Sequence, residues 1–458
     1  MRLSWQLGHR ALVAVVALMA ACAREQWVVS ISTDARVPQF GDRLLVDVID
    51  VRGARACQGC RRQFGVGDPL RLPVSFGVLP DLEQTTSALY IRARLYRADH
   101  ENDVGLPTQT YIDAMGRLPI TDGKISEVQL PLRMACFGVE SVIQPGVVRT
   151  CNPDTGLLDI VPELHAGEAV QPGSWPPGLT SPCPPNAEPA GMRCVPGGAF
   201  VLGGLRALNS VLDGIASTPE RLVSLRPYYM DVDEITVKDW YALQQTPPSR
   251  SCPQVPTPSL GKGCHATGGP DDKNNALPLN CVQQNSAQQI CQCLGKRLPT
   301  ESEWEYAAGS RDMETIYPWG DDENYCVRGI IERNPFGFAN CLIGDRGQML
   351  PPGPQPGGHP ADVGSLGIRN LGGNLSEWVA DRFAAYNSPC WTPQTYGRNW
   401  LDNPRCDGMS GDNSPQFSYR GGNWFAYSLF ALTATRSRGQ TALPVLGFRC
   451  VRDVEVAH

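Results

Sequence analysis

Cysteine is the residue type that most constrains how this chain can fold. The 458-residue sequence contains 17 cysteines, and Cys22 closes an apolar N-terminal run. If Cys22 is set aside, an even number of cysteines is left. Proteins of oxidising compartments often contain this many cysteines, whereas cytosolic proteins rarely do. The sequence therefore predicts an extracytoplasmic protein held together by up to eight disulfides.

The first 22 residues predict a secreted and lipid-modified protein. A short basic stretch precedes the apolar run 11–21, which is too short to span a bilayer and ends in small residues. The sequence Leu-Met-Ala-Ala-Cys ending at Cys22 resembles a bacterial lipobox, and Ala23 is not the aspartate that resembles an inner-membrane retention signal. We expect 1–22 to be a lipoprotein signal peptide, with lipidation of Cys22 and an outer-membrane location in the cell envelope. The alternative is ordinary secretion with an unmodified Cys22.

Charge and composition exclude two classes of protein. Forty Lys and Arg residues stand against 46 Asp and Glu residues, for a net charge of −6. Because no long basic run interrupts the chain, no nucleic-acid partner is expected. The 47 glycines and 40 prolines favour turns over long helices, so coiled coils and helical bundles are also excluded.

The chain reads as two domains joined by a linker. Residues 27–143 contain five short runs of alternating apolar and polar residues, which predict an all-β sandwich: 27–32, 43–51, 72–79, 88–97 and 127–134. Residues 144–193 are rich in Pro, Gly and Cys and are interpreted as a linker. Residues 194–453 form the C-terminal domain, which mixes strands and helices.

The pair Cys57 and Cys60 has the spacing of a redox motif or of half a zinc site. A zinc site needs a second pair, and a redox motif usually opens a helix behind a strand. Neither context is present. We expect a structural role, in which the two cysteines join each other or one of them bridges to Cys136.

The C-terminal domain contains a series of local motifs in a fixed order. Thr236 and Thr300 are predicted helix caps, and Thr300 with Glu303 forms a capping box. The motifs are Gly295–Ala308 with its Arg-Leu-Pro-Thr-Glu run, Tyr317–Gly320, Asn370–Trp378, Arg420–Trp424 and Gly447–Cys450.

This series resembles the formylglycine-generating enzyme family, also called the sulfatase-modifying factor family. The resemblance implies an irregular α+β variant of the C-type-lectin-like fold that presents a surface groove. Some members of that family oxidise a cysteine of sulfatases to formylglycine, some are iron-dependent enzymes, and some bind ligands without chemistry.

The resemblance also indicates where this chain departs from the enzymes. Formylglycine-generating members carry two cysteines after the Arg-Gly-Gly box that hold copper, and these positions are Ala426 and Ala431 here, with Asn423 in place of the usual serine. Alanine cannot bind copper, so no catalytic residue and no copper are expected. The five histidines beyond the signal are scattered, which disfavours an iron site. The predicted function is a binding module for a peptide, glycan or protein; the alternative is a sulfatase-modifying oxidoreductase with altered chemistry.

Four disulfides are predicted in the C-terminal domain. The resemblance implies Cys291 with Cys450, whose counterparts in the family are bridged. Loops rich in Pro, Gly or Asn favour the local pairs Cys252 with Cys264, Cys326 with Cys341, and Cys390 with Cys406. The partners of the remaining cysteines stay open: Cys57, Cys60, Cys136, Cys151, Cys183, Cys194, Cys281 and Cys293.

A structural calcium site is predicted in the loop 370–377. Asn370 and Glu377 offer side-chain oxygens, and Gly373 lets the backbone turn a carbonyl inward. The matching positions in the resembling family include calcium ligands. The alternative is that Asn370 caps a turn and Glu377 pairs with a nearby arginine.

Overall fold

The computed structural model divides the chain into two compact units, residues 1–175 and 176–458. It describes residues 26–454, and the segments that it leaves out are 80–87, 109, 121–123, 145–146, 186, 205–216, 250–251, 267–272, 336–339, 344–348, 350–352, 394–397 and 409–415. The predicted lipobox and Cys22 lie outside the described residues.

The N-terminal unit is built from strands. These are β1 (Gln26–Thr33), β2 (Arg43–Ile49), β3 (Arg61–Gly65), β4 (Val74–Val78), β5 (Tyr90–Tyr96), β6 (Ile112–Arg117), β7 (Ile125–Leu132), β8 (Val142–Gln144), β9 (Val147–Asn152) and β10 (Leu157–Ile160). One sheet has the order β4-β1-β7, a second β3-β2-β5-β6, and a third β10-β9-β8. The predicted all-β N-terminal domain is therefore present.

Alternation of apolar and polar residues explains the two larger sheets. In β1, Val29 and Ile31 are fully buried while Ser30 between them is partly exposed, and in β5 Ile91 and Ala93 are fully buried on either side of Arg92. β1 pairs antiparallel with β4 and parallel with β7. All five runs of the sequence form strands. The sequence did not predict β3, which is polar and largely exposed, or β6.

The segment predicted as a linker, 144–193, contains regular structure in its first part. β9 and β10 form an antiparallel hairpin, and β8 pairs with β9. Strands form here because the prolines of this segment are concentrated after residue 160, where no strand ladder is interrupted. The division between the two units falls after Trp175, within the interval that the sequence assigned to the linker.

In the described residues of the C-terminal unit, short strands are combined with three α-helices. Its strands are β11 (Met192–Val195), β12 (Gly198–Leu202), β13 (Arg221–Leu225), β14 (Tyr228–Asp231), β15 (Ser376–Arg382), β16 (Leu401–Asp402), β17 (Phe417–Arg420), β18 (Arg436–Gly439), β19 (Leu446–Gly447) and β20 (Val451–Asp453). Its helices are α1 (Val237–Gln244), α2 (Gln284–Cys293) and α3 (Glu301–Ala308). The sheets have the orders β11-β14-β20, β12-β13-β16 and β18-β17-β15-β19.

Both predicted helix caps are present. The Thr236 side chain accepts a hydrogen bond from the backbone N–H of Asp239. The Asp239 carboxylate in turn accepts one from the backbone N–H of Thr236, which completes a capping box. Thr300 and Glu303 form the same arrangement at the start of α3. These boxes satisfy backbone donors that a helix start leaves without partners.

Tryptophans fill the core between the short strands. Trp304 of α3 and Trp378 of β15 are fully buried, and Trp378 donates its indole N–H to the carbonyl of Val282 at 2.8 Å. Each ring therefore supplies a large apolar area while its single donor is satisfied. Among the described residues, no helix is both long and apolar enough to cross a membrane.

Eight disulfides join all sixteen cysteines of the described residues. The bridges Cys291–Cys450, Cys326–Cys341 and Cys390–Cys406 are the pairs that the sequence predicts. Cys57 is joined to Cys60, one of the two arrangements left open. The other bridges are Cys136–Cys151, Cys183–Cys194, Cys252–Cys293 and Cys264–Cys281.

The predicted pair Cys252 with Cys264 is wrong. Cys252 bridges to Cys293 at the end of α2, 41 residues away, and Cys264 bridges to Cys281. The prediction assumed that the loop between the two cysteines closes on itself. In the structure the loop is instead fastened at both ends to the segment 281–293.

Candidate functional site

The loop after β17 holds the positions where the enzymes carry their cysteine pair. Gly421 has a positive φ of 79°, and a Cβ on Gly422 would lie 2.4 Å from the carbonyl oxygen of Gly372. Only glycine permits so close a crossing of two backbones. The two glycines therefore bring residues 423–431 against the loop 370–377.

Asn423 fixes the start of this loop. Its side-chain oxygen accepts hydrogen bonds from the backbone N–H groups of Phe425 and Ala426, both at 2.9 Å, and its amide nitrogen donates to Ser376 Oγ at 2.9 Å. The Asn423 amide therefore shapes the turn at residues 423–426 and ties it to Ser376.

Neither of the expected positions offers a sulfur atom. Ala431 is buried and packs against Tyr317 and Ile331, while Ala426 is half-buried and its carbonyl accepts from the backbone N–H of Glu332. Because every cysteine of the described residues is in a disulfide, none supplies a thiolate in their place. The residues around Ala426 and Ala431 do not fit a copper ion, which requires soft sulfur ligands.

The surroundings of Ala426 contain two buried donors that have no hydrogen-bond partner. Arg333 is 3% exposed and its Nε is unbonded, as is the indole N–H of Trp424, and the Arg333 backbone N–H donates to the Trp424 carbonyl at 2.8 Å. Burial lowers the pKa of Arg333. The pKa of His359 is also lowered, mainly by burial and to a smaller extent by the positive charge of Arg333. His359 is therefore neutral at pH 7.

The charged residues of the Arg-Leu-Pro-Thr-Glu segment are engaged in internal pairs. The carboxylate of Glu301 accepts hydrogen bonds from Arg436 at 2.6 and 2.8 Å and forms an ion pair with Arg420 at 3.5 Å. Arg420 also forms an ion pair with Glu305. Arg297 forms two bonds of 2.7 Å with Glu303. These side chains hold the fold together and are not arranged as an acid and a base around a substrate.

The predicted calcium ligands are engaged by protein groups as well. Glu377 is 1% exposed, and its two oxygens accept from Arg449 at 2.7 and 2.8 Å and from the Trp304 indole at 2.8 Å. Asn370 accepts from the His359 backbone N–H and donates to Glu234. Gly373 lies against the backbone of Ile330.

The set of Asn370, Gly373 and Glu377 therefore does not fit a calcium ion, which needs six to eight oxygens. Most of the acceptor capacity of the Glu377 carboxylate is already used by the Arg449 guanidinium and the Trp304 indole. The pairing of Glu377 with an arginine is the alternative that the sequence left open. Among the described residues, no group of three or more His, Cys, Asp or Glu side chains could hold a metal ion.

A separate cavity of about 890 Å³ lies in the C-terminal unit. Its apolar wall includes prolines at 182, 184, 185 and 227, and its polar lining includes Arg226, Thr300, Asn403 and Arg405. We call it the proline cavity. Asn403 and Arg405 belong to the irregular segment between β15 and β17. The size and the mixed lining are those of a ligand site.

Comparison with known proteins identifies the family. The model of the sulfatase-modifying factor enzyme 1-like domain matches residues 179–454. This span is more than half of the chain and covers the whole region described above. The chain therefore belongs to the sulfatase-modifying factor family.

Both active and inactive relatives are similar to this chain. The formylglycine-generating enzyme of Streptomyces coelicolor is 26% identical over 318 residues, 59% of this chain and 93% of the relative. The formylglycine-generating enzyme of Bos taurus is 24% identical over 327 residues, 63% of this chain and 80% of the relative. The inactive Cα-formylglycine-generating enzyme 2 of Bos taurus is 29% identical over 126 residues, 28% of this chain and 39% of the relative.

Among solved structures, PvdO from Pseudomonas aeruginosa aligns with 57% of this chain and 94% of its own. The TM-score is 0.42 and the sequence identity is 19%.

Replacement of Glu301 by Gln should strongly destabilise the C-terminal unit. The change leaves Arg436 and Arg420 buried without their shared counter-charge, a defect that costs about 3 kcal/mol or more. Urea unfolding measures the loss. The matched control is Glu163→Gln, which breaks the exposed ion pair with Arg117 and should cost less than about 1 kcal/mol. Equal losses in the two variants would contradict this account of Glu301.

Stability should fall as the pH rises from 5 to 8.5. Burial raises the pKa of Glu234 and of Asp381 to about 8, and that of Asp362 to about 7, from ordinary values of 4.5 and 3.8. Between these limits the folded state binds more protons than the unfolded state, so each rise in pH favours unfolding. The thermal midpoint measured across this range should therefore decrease.

Asp381→Asn should flatten this dependence, because the variant has no carboxyl to deprotonate there. The exposed Asp402→Asn serves as the control and should keep the wild-type slope. A midpoint that stays level or rises with pH in the wild type would contradict the prediction.

Proposed function

We propose that this protein is a lipid-anchored, non-catalytic member of its family whose C-terminal unit binds a ligand. The observation that carries the proposal is the pair Ala426 and Ala431, which stand where the enzymes carry the copper-binding cysteines. The eight disulfides of the described residues support it, because they leave no thiolate that could take over. The similarity to an inactive relative agrees with this view.

The proline cavity is the proposed binding site. Four prolines give it a rigid apolar wall, which suits an extended peptide that needs little adjustment on binding. The acidic residues that line it are already paired, since Glu303 and Asp453 both bond to Arg297. Arg226 is exposed at its edge, and Arg405 lies 2.8 Å from Asp407 and is 50% exposed. The balance of charge favours an acidic peptide as the ligand.

The full-length protein should leave a sulfatase-type peptide unchanged. A synthetic peptide containing Cys-x-Pro-x-Arg is incubated with the protein, copper and oxygen, and its mass is followed. We expect the cysteine to stay intact, because no pair of thiolates is available to bind copper and exchange with the substrate. The Streptomyces coelicolor relative serves as the positive control. Conversion of the peptide cysteine would overturn the non-catalytic proposal and establish an oxidoreductase with altered chemistry.

Acidic peptides should bind at the proline cavity. A panel of synthetic peptides, half of them with Asp and Glu replaced by Asn and Gln, is titrated against the full-length protein by fluorescence anisotropy. We expect the acidic members to bind more tightly, and Arg226→Ala with Arg405→Ala to weaken them by about tenfold, a typical loss for one or two charged contacts. Arg438→Ala is the control, since Arg438 is exposed and does not line the cavity.

Binding that is equal for acidic and neutral peptides would reject the acidic ligand. Binding that is unaffected by the two cavity variants would reject the cavity as the site. A parallel titration with acidic oligosaccharides separates the peptide from a glycan, and a preference for the sugar would also reject the peptide proposal.

A further inference from the structure

Three of the exposed large apolar side chains of the N-terminal unit lie near the start of β1. Leu79 is 65% exposed, Ile120 is 88% exposed and Ile125 is 66% exposed. Leu79 directly follows β4, Ile120 lies in the β6–β7 connection, and Ile125 is the first residue of β7. We call them the N-terminal apolar patch.

Strand pairing places two of them beside the first residues of β1, and a side-chain hydrogen bond places the third nearby. Ile125 is the partner of Gln26, and Leu79 directly follows Val78, the partner of Trp27. The Trp27 indole donates to the carbonyl of Pro119 at 2.8 Å, which fixes the residue before Ile120. The patch therefore lies at the end of the unit where the chain enters it.

The start of β1 is also close in the sequence to the proposed lipid on Cys22. Gln26 lies four residues after Cys22, and four residues span at most about 14 Å even when fully extended. Acyl chains on Cys22 would lie in the hydrocarbon core, below a polar layer about 5–7 Å thick. The first residues of β1 are therefore held within reach of the membrane surface whatever path the chain takes between them.

We propose that the N-terminal apolar patch inserts into the interfacial layer of the bilayer and orients the N-terminal unit on the membrane. The proposal rests on the lipidation of Cys22 that belongs to the proposed function. Exposed apolar side chains gathered at one place mark an interaction surface, and here the anchor brings a lipid surface to that place. Exposed Lys124, whose carbonyl accepts from the Gln26 backbone N–H, sits beside the patch and can face anionic headgroups.

The same unit provides a control at its other end. Val104 is 75% exposed and lies in the β5–β6 connection. β6 runs from Ile112, near that connection, to Arg117, which leads to Ile120. Val104 is thus as exposed as the patch but separated from it by the length of β6.

Photolabelling from within the bilayer tests the proposal. The full-length protein, made in a bacterial host that lipidates it, is reconstituted into vesicles of phosphatidylethanolamine and phosphatidylglycerol that contain a lipid with a diazirine near its headgroup. After irradiation and proteolysis, mass spectrometry maps the labelled residues and the modification of Cys22. We expect labels at Leu79, Ile120 and Ile125 in several-fold excess over Val104.

The triple variant Leu79→Ser, Ile120→Ser, Ile125→Ser should lose the labels around the patch while Cys22 keeps its lipid. An unchanged thermal midpoint shows that the exposed substitutions leave the fold intact. If Cys22 is lipidated and Val104 is labelled as strongly as the patch, the patch proposal is overturned and the anchor stands. If Cys22 carries no lipid, the anchoring part of the proposed function is overturned, and the patch proposal falls with it.

Discussion

The buried carboxylate of Glu301 is the interaction on which the C-terminal unit depends. It is fully buried at the first position of α3 and meets Arg436 of β18 and Arg420 of β17. Burial alone would raise the pKa of Glu301, but the two guanidinium groups lower it, so the group is ionised. One charge thus fastens a helix to two strands in a unit whose sheets are too short to hold themselves together.

The same arrangement would keep the fold in place without the chemistry of the family, as the proposed function requires. The loop with Ala426 and Ala431 is held by Gly421, Gly422 and Asn423, and it leaves from Arg420, which Glu301 and Glu305 bind. At Ala426 these contacts use the backbone N–H and not the side chain. The cysteines of an active member can therefore be replaced while the loop keeps its place. A binding function at a different surface, such as the proline cavity, is compatible with that loss.

The sequence predicted those elements that are determined by interactions between residues close together in the chain. The capping boxes at Thr236 and Thr300 and the alternating strands of the N-terminal unit depend on residues a few positions apart. The calcium site stays a prediction, and the sequence did not show that Arg449, 72 residues beyond Glu377, pairs with that carboxylate. β3 was missed because its residues are mostly polar and exposed, so they lack the alternation of apolar and polar residues that marks a strand. The proline cavity was not predicted, since segments far apart in the chain line it.

The disulfides connect the stability of this protein with its function. Strands of two to five residues form most of the sheets in the C-terminal unit, and such elements bury little apolar surface each. Bridges such as Cys291–Cys450, which closes 159 residues, restrict the unfolded chain and offset this weakness by an amount on the order of several kcal/mol. Every cysteine used in this way is removed from redox chemistry. A chain that uses all sixteen of its described cysteines as cross-links has a stable scaffold, which agrees with the proposal that it presents a surface for recognition.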